Sequence, residues 1–130
     1  MKVRLTVAAV SALLAAAPLV AQIVHDSPFF CDLSKLSPAE RAHKAEITGR
    51  LAARLAGVRE AADGYEFSFP GDPATLAMID EWVATERLCC PFFDIEVQTA
   101  REQGPATLRL AGRPGTKDFI RADFGKWLRR

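Results

Sequence analysis

The chain has 130 residues, of which 49% are hydrophobic and 25% are charged. This length and composition fit one globular domain with an ordinary core, and they exclude a disordered tail, a collagen-like repeat and a long coiled coil. There are 17 Lys and Arg against 16 Asp and Glu, which gives a formal net charge of +1. Because so even a balance leaves no electrostatic footprint for nucleic acid, no nucleic-acid partner is predicted.

The amino terminus has the pattern of a targeting segment. Lys2 and Arg4 form a short basic region, and Pro18 interrupts the apolar run that covers residues 5–24. The alternative is an uncleaved anchor, because a helix over this run would be about 30 Å long, just enough for a bilayer. Residues 1–24 are therefore predicted to be a signal peptide or an N-terminal membrane anchor. The remainder is then secreted or periplasmic, or is held at a membrane through that segment alone.

After this segment, residues 25–36 are predicted to be an arm or linker, and residues 37–130 a single α+β domain. The arm carries two adjacent aromatic residues, Phe29 and Phe30, immediately before Cys31. Aromatic side chains bury a large apolar area. We therefore expect the arm to dock on the core of the domain rather than to extend freely into solvent.

The first helix of the domain has a clear start signal. Ser37 is the predicted N-cap, Pro38 occupies the first helical position, and Glu40 can complete a capping box. The helix is predicted to continue to about Ala56, with Gly57 following its end. Its buried stripe is formed by residues four positions apart: Ile47, Leu51 and Leu55. Two ion pairs are predicted on its solvent side: Glu40 with Lys44, and Glu46 with Arg50.

Two hairpins alternate with two further helices in the rest of the chain. The predicted elements are strands at about 58–61 and 65–69, a helix at 73–88, strands at 93–99 and 106–110, and a helix at 116–128. Asp63-Gly64 is the turn signal of the first hairpin, and the strands alternate apolar and polar residues. The order α-ββ-α-ββ-α predicts a two-layer α+β sandwich, in which helices back one antiparallel sheet.

The second helix brings polar groups to its buried side. Its apolar stripe follows a spacing of three and four residues: Leu76, Ile79, Val83, Glu86 and Cys90. Glu86 is thus predicted on the core side, one turn before Cys89 and Cys90. Because Pro91 disfavours helical backbone at the preceding residue, the helix is expected to fray at Leu88 or Cys89.

Thiolate sulfur selects soft ions such as Cu(I), Zn(II) and heavier thiophilic ions over hard cations. The candidate ligands are Cys31, Cys89 and Cys90, with Glu86 behind them as a proton acceptor or a supporting group. Neither histidine, His25 or His43, is near these cysteines in sequence, so a closed zinc site lacks a fourth protein ligand. The predicted function is the binding of a soft metal or metalloid ion, whose identity the sequence leaves open.

Two alternatives use the same cysteines differently. A disulfide between Cys31 and either Cys89 or Cys90 would close a loop of about 60 residues, worth about 4 kcal/mol, in a structural or interaction module. A thiol-redox role is less favoured, because the vicinal pair lies at a helix C-terminus, where the dipole opposes thiolate formation.

The chain has no GxSxG, HExxH, GxGxxG or Walker motif. No catalytic residue is predicted, and binding is favoured over catalysis.

The chain resembles a family of small bacterial proteins marked by a Glu-Arg-x-Cys-Cys-Pro-Phe core and an upstream Cys-x-Leu. The likeness extends over about residues 31–124, and its specific parts are Cys31-Asp32-Leu33 and Glu86-Arg87-Leu88-Cys89-Cys90-Pro91-Phe92. The resemblance implies that Cys31, Glu86, Cys89 and Cys90 act as one group, and it implies no particular reaction. The apparent leader is a departure, since many of the similar proteins look cytosolic.

Overall fold

The computed structural model describes residues 26–129, so the leader predicted at residues 1–24 lies outside the described part, as does His25. After a short 3-10 turn at Leu33–Lys35, the elements are α1 (Pro38–Arg54), β1 (Gly57–Glu60), β2 (Gly64–Phe69), α2 (Pro73–Cys89), β3 (Asp94–Thr99), β4 (Ala106–Ala111), α3 (Thr116–Asp123) and α4 (Gly125–Leu128). Within residues 26–129, no helix is both long and apolar enough to cross a membrane.

The four strands form one antiparallel sheet in the order β1-β2-β4-β3. The two hairpins meet at the central pair, where Phe67 of β2 lies opposite Leu108 of β4 and both side chains are fully buried. On the other face of the sheet, Arg109 contacts Asp63 at 2.6 Å and Glu96 at 3.2 Å. At the two central strands one face is therefore buried and the other exposed, whereas the edge strands β1 and β3 have no buried residue. One antiparallel sheet backed by helices confirms the predicted two-layer α+β sandwich.

Helix α1 begins as its sequence predicts and ends slightly earlier. The Ser37 hydroxyl accepts a bond from the Glu40 amide at 3.2 Å, and the Glu40 carboxylate accepts one from the Ser37 amide at 2.7 Å. The helix stops at Arg54 rather than near residue 56, because Leu55 is already extended and Gly57 begins β1. The predicted surface pair between Glu46 and Arg50 is confirmed at 3.7 Å.

The carboxyl-terminal helix is interrupted, and the prediction of one helix over residues 116–128 is wrong in this respect. Phe124 leaves the helical conformation between α3 and α4, with φ −103° and ψ 19°. The break turns both Phe124 and Trp127 into the core, where the Trp127 ring meets Phe67 edge-on at 5.2 Å and lies 5.8 Å from Trp82. Burial of these aromatic rings outweighs the continuity of one short helix.

Candidate metal centre

The end of α2 positions two of the three sulfurs. The helix ends at Cys89, and Cys90 turns away with φ −129° and ψ 64°, as expected before Pro91. The amide of Cys90 still donates to the carbonyl of Glu86 at 2.7 Å, so the turn is tight. Both thiols are fully buried. The vicinal pair is therefore held on the core side of the helix end rather than in a mobile loop.

The third sulfur comes from the arm, which docks as predicted. The amide of Asp32 donates to the carbonyl of Cys89 at 2.8 Å, and this bond joins the arm directly to the end of α2. Cys31 comes one residue before Asp32, whose amide makes this bond, and is half-buried. The arm consequently brings its thiol to the vicinal pair through a main-chain contact that does not depend on the sulfur itself.

Aromatic packing fixes the arm on its other side. The Phe29 ring meets Phe92 edge-on at 5.2 Å, and the guanidinium of Arg113 lies 4.2 Å from the centre of the Phe29 ring. Gly115 adopts a φ of +103°, and a Cβ added there would lie 2.5 Å from the Phe29 ring. A glycine is needed at that position both for its backbone conformation and for the space that Phe29 fills.

The three sulfurs form one cluster. The Sγ atoms of Cys31, Cys89 and Cys90 all lie within 4.8 Å of one another. A soft ion bonded to sulfur at about 2.3 Å requires its ligands to be no more than about 4.6 Å apart, so small side-chain rotations close the cluster around one ion. All three cysteines are free thiols, and the structural disulfide considered from the sequence is not formed.

A buried ion pair lies against the cluster. Glu86 is 1% exposed, and its Oε2 accepts a bond from Nζ of Lys44 at 2.5 Å. The predicted surface pair between Glu40 and Lys44 is wrong, because Glu40 caps the amide of Ser37 and Lys44 turns inward to Glu86. The Lys44 ammonium also lies 5.1 Å from the centre of the Trp82 ring. Lys44 is thus the site residue that the sequence interpretation missed.

The electrostatics of the site favour a charged Lys44 and protonated thiols at Cys89 and Cys90. Burial, followed by the nearby Glu86 carboxylate, raises the pKa of Cys89 to about 12 and also raises the pKa of Cys90. Burial lowers the pKa of Lys44, but the charge and hydrogen bond of Glu86 outweigh it and the net pKa is raised. A redox nucleophile needs a thiolate near neutral pH, so this environment does not favour the thiol-redox alternative.

Three cavities reach the sulfurs. The largest of the three, of about 340 Å³, is lined by Cys31 and by Arg41 and Lys44 of α1, and two smaller ones lie beside it. One of about 170 Å³ is lined by Cys31, Lys44 and Glu86 together with aromatic residues of the core. The other, of about 220 Å³, reaches Cys89 between Phe30 and Leu88. The cluster is therefore enclosed without being sealed, and a small solute can approach it through any of these openings.

The ligand set within residues 26–129 consists of the three sulfurs, and Glu86 is not among the grouped ligand atoms. His43 lies elsewhere on α1, where its Nε2 is 3.0 Å from Oε2 of Glu81 and its side chain is about half exposed. The structure thus brings together the three predicted ligands and leaves the described histidine apart.

Comparisons with known proteins add no homologue. No protein-family model matches the chain, no curated protein matches its sequence, and no solved structure matches its fold. The family resemblance inferred from the motif around the vicinal cysteines therefore remains a prediction. The chemistry of the site must be inferred from its own geometry, burial and charge.

Proposed function

We propose that this protein binds a soft metal or metalloid ion through Cys31, Cys89 and Cys90. The observation that carries the proposal is the convergence of three free sulfurs within 4.8 Å from two segments far apart in sequence. Sulfur ligands select soft ions over Mg²⁺ and Ca²⁺, which take oxygen ligands. The site supplies sulfur ligands alone, so hard cations are not expected to compete.

The buried pair beside the sulfurs supports a role beyond packing. A lone buried cysteine usually serves as a small hydrophobic side chain. Here the thiols instead lie next to Glu86 and Lys44, whose removal from water carries a large desolvation penalty. Hydrophobic residues of similar volume would often stabilise a core equally well or better. Retention of an ion pair at this position fits a site with chemistry to perform.

The residues of the site have distinct roles in this proposal. Cys89 and Cys90 form the inner pair, which α2 and its C-terminal turn hold in place. Cys31 closes the site from the arm, so ion binding and arm docking stabilise each other. Lys44 and Glu86 form an ion pair beside the inner pair and position it without ligating the ion.

Equilibrium dialysis of the full chain, reduced and kept under anaerobic conditions, tests the proposal. Cu(I), Zn(II), Cd(II) and As(III) are offered separately, with Mg²⁺ as the hard-cation control, and bound ion and reactive thiols are counted. We expect one soft ion per chain, slower labelling of all three thiols, and no binding of Mg²⁺.

Variants within the arm provide the matched control. Cys31→Ser should weaken binding of the soft ion by about tenfold or more, whereas Ser34→Ala, in the same arm, should leave it unchanged. The proposal fails if no soft ion binds, or if the serine variants of the three cysteines bind as tightly as the natural chain.

A further inference from the structure

The cluster lies where an additional net charge would be poorly tolerated. Cys89 and Cys90 are fully buried, and the charged side chains directly behind them are Glu86 and Lys44. These two already neutralise each other. A further charge created on the sulfurs would therefore be buried without a partner, which proteins strongly disfavour.

Charge balance distinguishes the candidate ions. Three thiolates around a divalent ion such as Zn(II) or Cd(II) carry one net negative charge, and around Cu(I) they carry two. Around a trivalent ion they carry none. Hg(II) becomes neutral with only two thiolates and leaves the third sulfur unused. Of these ions, only a trivalent one uses all three sulfurs and leaves the site uncharged.

The remaining cations near the cluster do not offset an anionic complex. Arg41, Lys126 and Lys35 line the cavities, but all three are exposed, and the Arg41 guanidinium donates to the carbonyl of Leu33. Asp123 and Asp32 line the same openings with the opposite charge. Solvent screens these surface groups, so what an anionic complex would meet is the buried pair of Glu86 and Lys44, which carries no net charge to offset it.

The number of ligands leads to the same conclusion. Structural zinc is almost always four-coordinate, and the described residues supply three sulfurs with no fourth donor in the group. A trivalent metalloid takes three sulfur ligands in a pyramid and keeps a lone pair at the fourth corner. The number of sulfurs in the cluster matches that requirement without any additional ligand.

We infer that the ion selected by this site is a trivalent metalloid, As(III) in particular, held by Cys31, Cys89 and Cys90 as an uncharged trithiolate. The inference rests on the proposed function and specifies its ligand class. Arsenous acid, As(OH)₃, is itself uncharged at neutral pH and reacts with three thiols to give the As(S)₃ complex and three waters. Three As–O bonds break and three As–S bonds form. Each thiol proton leaves with a hydroxide as water, arsenic stays trivalent, and no oxidant or reductant is required.

Proton release on binding distinguishes an uncharged arsenite complex from complexes of divalent ions. Arsenite, Zn(II) and Cd(II) are each added to reduced full-length protein in weakly buffered solution at neutral pH, with a pH indicator, and bound ion and reactive thiols are counted in parallel. Because a thiol gives up its proton when its sulfur binds Zn(II) or Cd(II), binding of these ions must release protons to solution, whereas the hydroxides of As(OH)₃ take up the thiol protons as water and none should be released. We also expect arsenite to consume three thiols per chain and to displace Zn(II) in competition.

The variant Glu86→Gln tests the charge argument on its own. It leaves Lys44 uncompensated, so an anionic complex becomes favoured, and the affinity for Zn(II) relative to As(III) should rise by about tenfold. Arsenite binding by the variant serves as its own control for correct folding. A variant that loses arsenite binding through misfolding is replaced by Lys44→Gln, which keeps a hydrogen-bond donor beside Glu86 and should shift the ratio in the opposite direction.

The outcomes separate this inference from the proposed function. Zn(II) or Cd(II) binding through the three cysteines that arsenite cannot displace would overturn the inference and leave soft-ion binding intact. An unchanged ion preference in both charge variants would also overturn the inference. Failure of every soft ion to bind would overturn both.

Discussion

Nζ of Lys44 lies 2.5 Å from Oε2 of Glu86, and the two side chains are 13% and 2% exposed. This contact joins α1 to the end of α2 at the level of the vicinal thiols. Because both charges are largely removed from water, each depends on the other for compensation. The stability of this corner of the molecule is therefore sensitive to the loss of either partner.

We expect Lys44→Met to lower the free energy of unfolding by about 3–5 kcal/mol, since it leaves the Glu86 carboxylate buried without its cation. The double variant Lys44→Met, Glu86→Leu should recover most of that loss. Urea denaturation of the ion-free protein provides the measurement. Arg50→Met is the matched control, because its pair with Glu46 is exposed and should contribute about 0–1 kcal/mol. A loss for Lys44→Met as small as that of the control would contradict the prediction.

The docking of the arm can be weakened without altering any sulfur. Phe29→Ala removes the contacts with Phe92 and Arg113, and we expect it to lower the affinity for the bound ion by about tenfold. Phe30→Ala is the matched control, because that neighbouring ring is 63% exposed. Equilibrium dialysis of both variants with the same ion is the measurement. Equal losses in the two variants would show that Phe29 does not hold Cys31 in place.

Oxidation should convert the site into a different state. Diamide removes two electrons and two protons from a pair of thiols, and the proximity of the sulfurs favours a disulfide between Cys31 and one of the inner pair. We expect one reactive thiol to remain in the denatured chain, and ion binding to be lost until dithiothreitol is added. Cys31→Ser should resist this change, because a ring between adjacent cysteines is strained. Three thiols persisting after oxidation would argue against the described proximity.

The start of α2 should make stability dependent on acid pH. Hydrogen bonds from the side chain and amide of Thr75, together with the charge of Arg54, lower the pKa of Asp72 below its usual 3.8. A carboxyl whose folded pKa is lowered stabilises the fold above its unfolded pKa, and that contribution disappears as pH falls through the folded value. The difference in unfolding free energy between the natural chain and Asp72→Asn should therefore shrink between about pH 4 and pH 2. Thermal unfolding across this range measures the difference, and a constant gap would refute the assignment.

Local rules predicted much of the fold. The capping box at Ser37, the cap-and-proline start at Asp72 and the helix stop before Pro91 depend on neighbouring residues, and each is found where the sequence places it. The alternation of apolar and polar residues also predicted both hairpins. The break at Phe124 was missed because it depends on where the rings of Phe124 and Trp127 find room in the core, which no short window of sequence contains.

The site was likewise predicted where it depends on residue chemistry and missed where it depends on long-range contacts. Chemistry alone grouped Cys31 with Cys89 and Cys90, but their proximity depends on the docked arm, a long-range contact. Lys44 was assigned to solvent because it lies four residues after Glu40, a favourable surface pair. A signal for the other assignment was present, since Lys44 lies three residues before Ile47 and extends the buried stripe of α1 toward its start.

Through the bond from the Asp32 amide to the Cys89 carbonyl, the arm also stabilises the end of α2. Carbonyls in the last turn of a helix lack hydrogen-bond partners within the helix, and the amide of Asp32 in the arm is the partner of the Cys89 carbonyl. A protein trimmed to begin at Ser37 would thus lose a sulfur and also release the final turn of α2, so its vicinal thiols would no longer keep the same orientation. Grafting the Cys-Cys-Pro motif onto another helix would fail for the same reason. The smallest portable unit is that helix end together with the segment that ties it down.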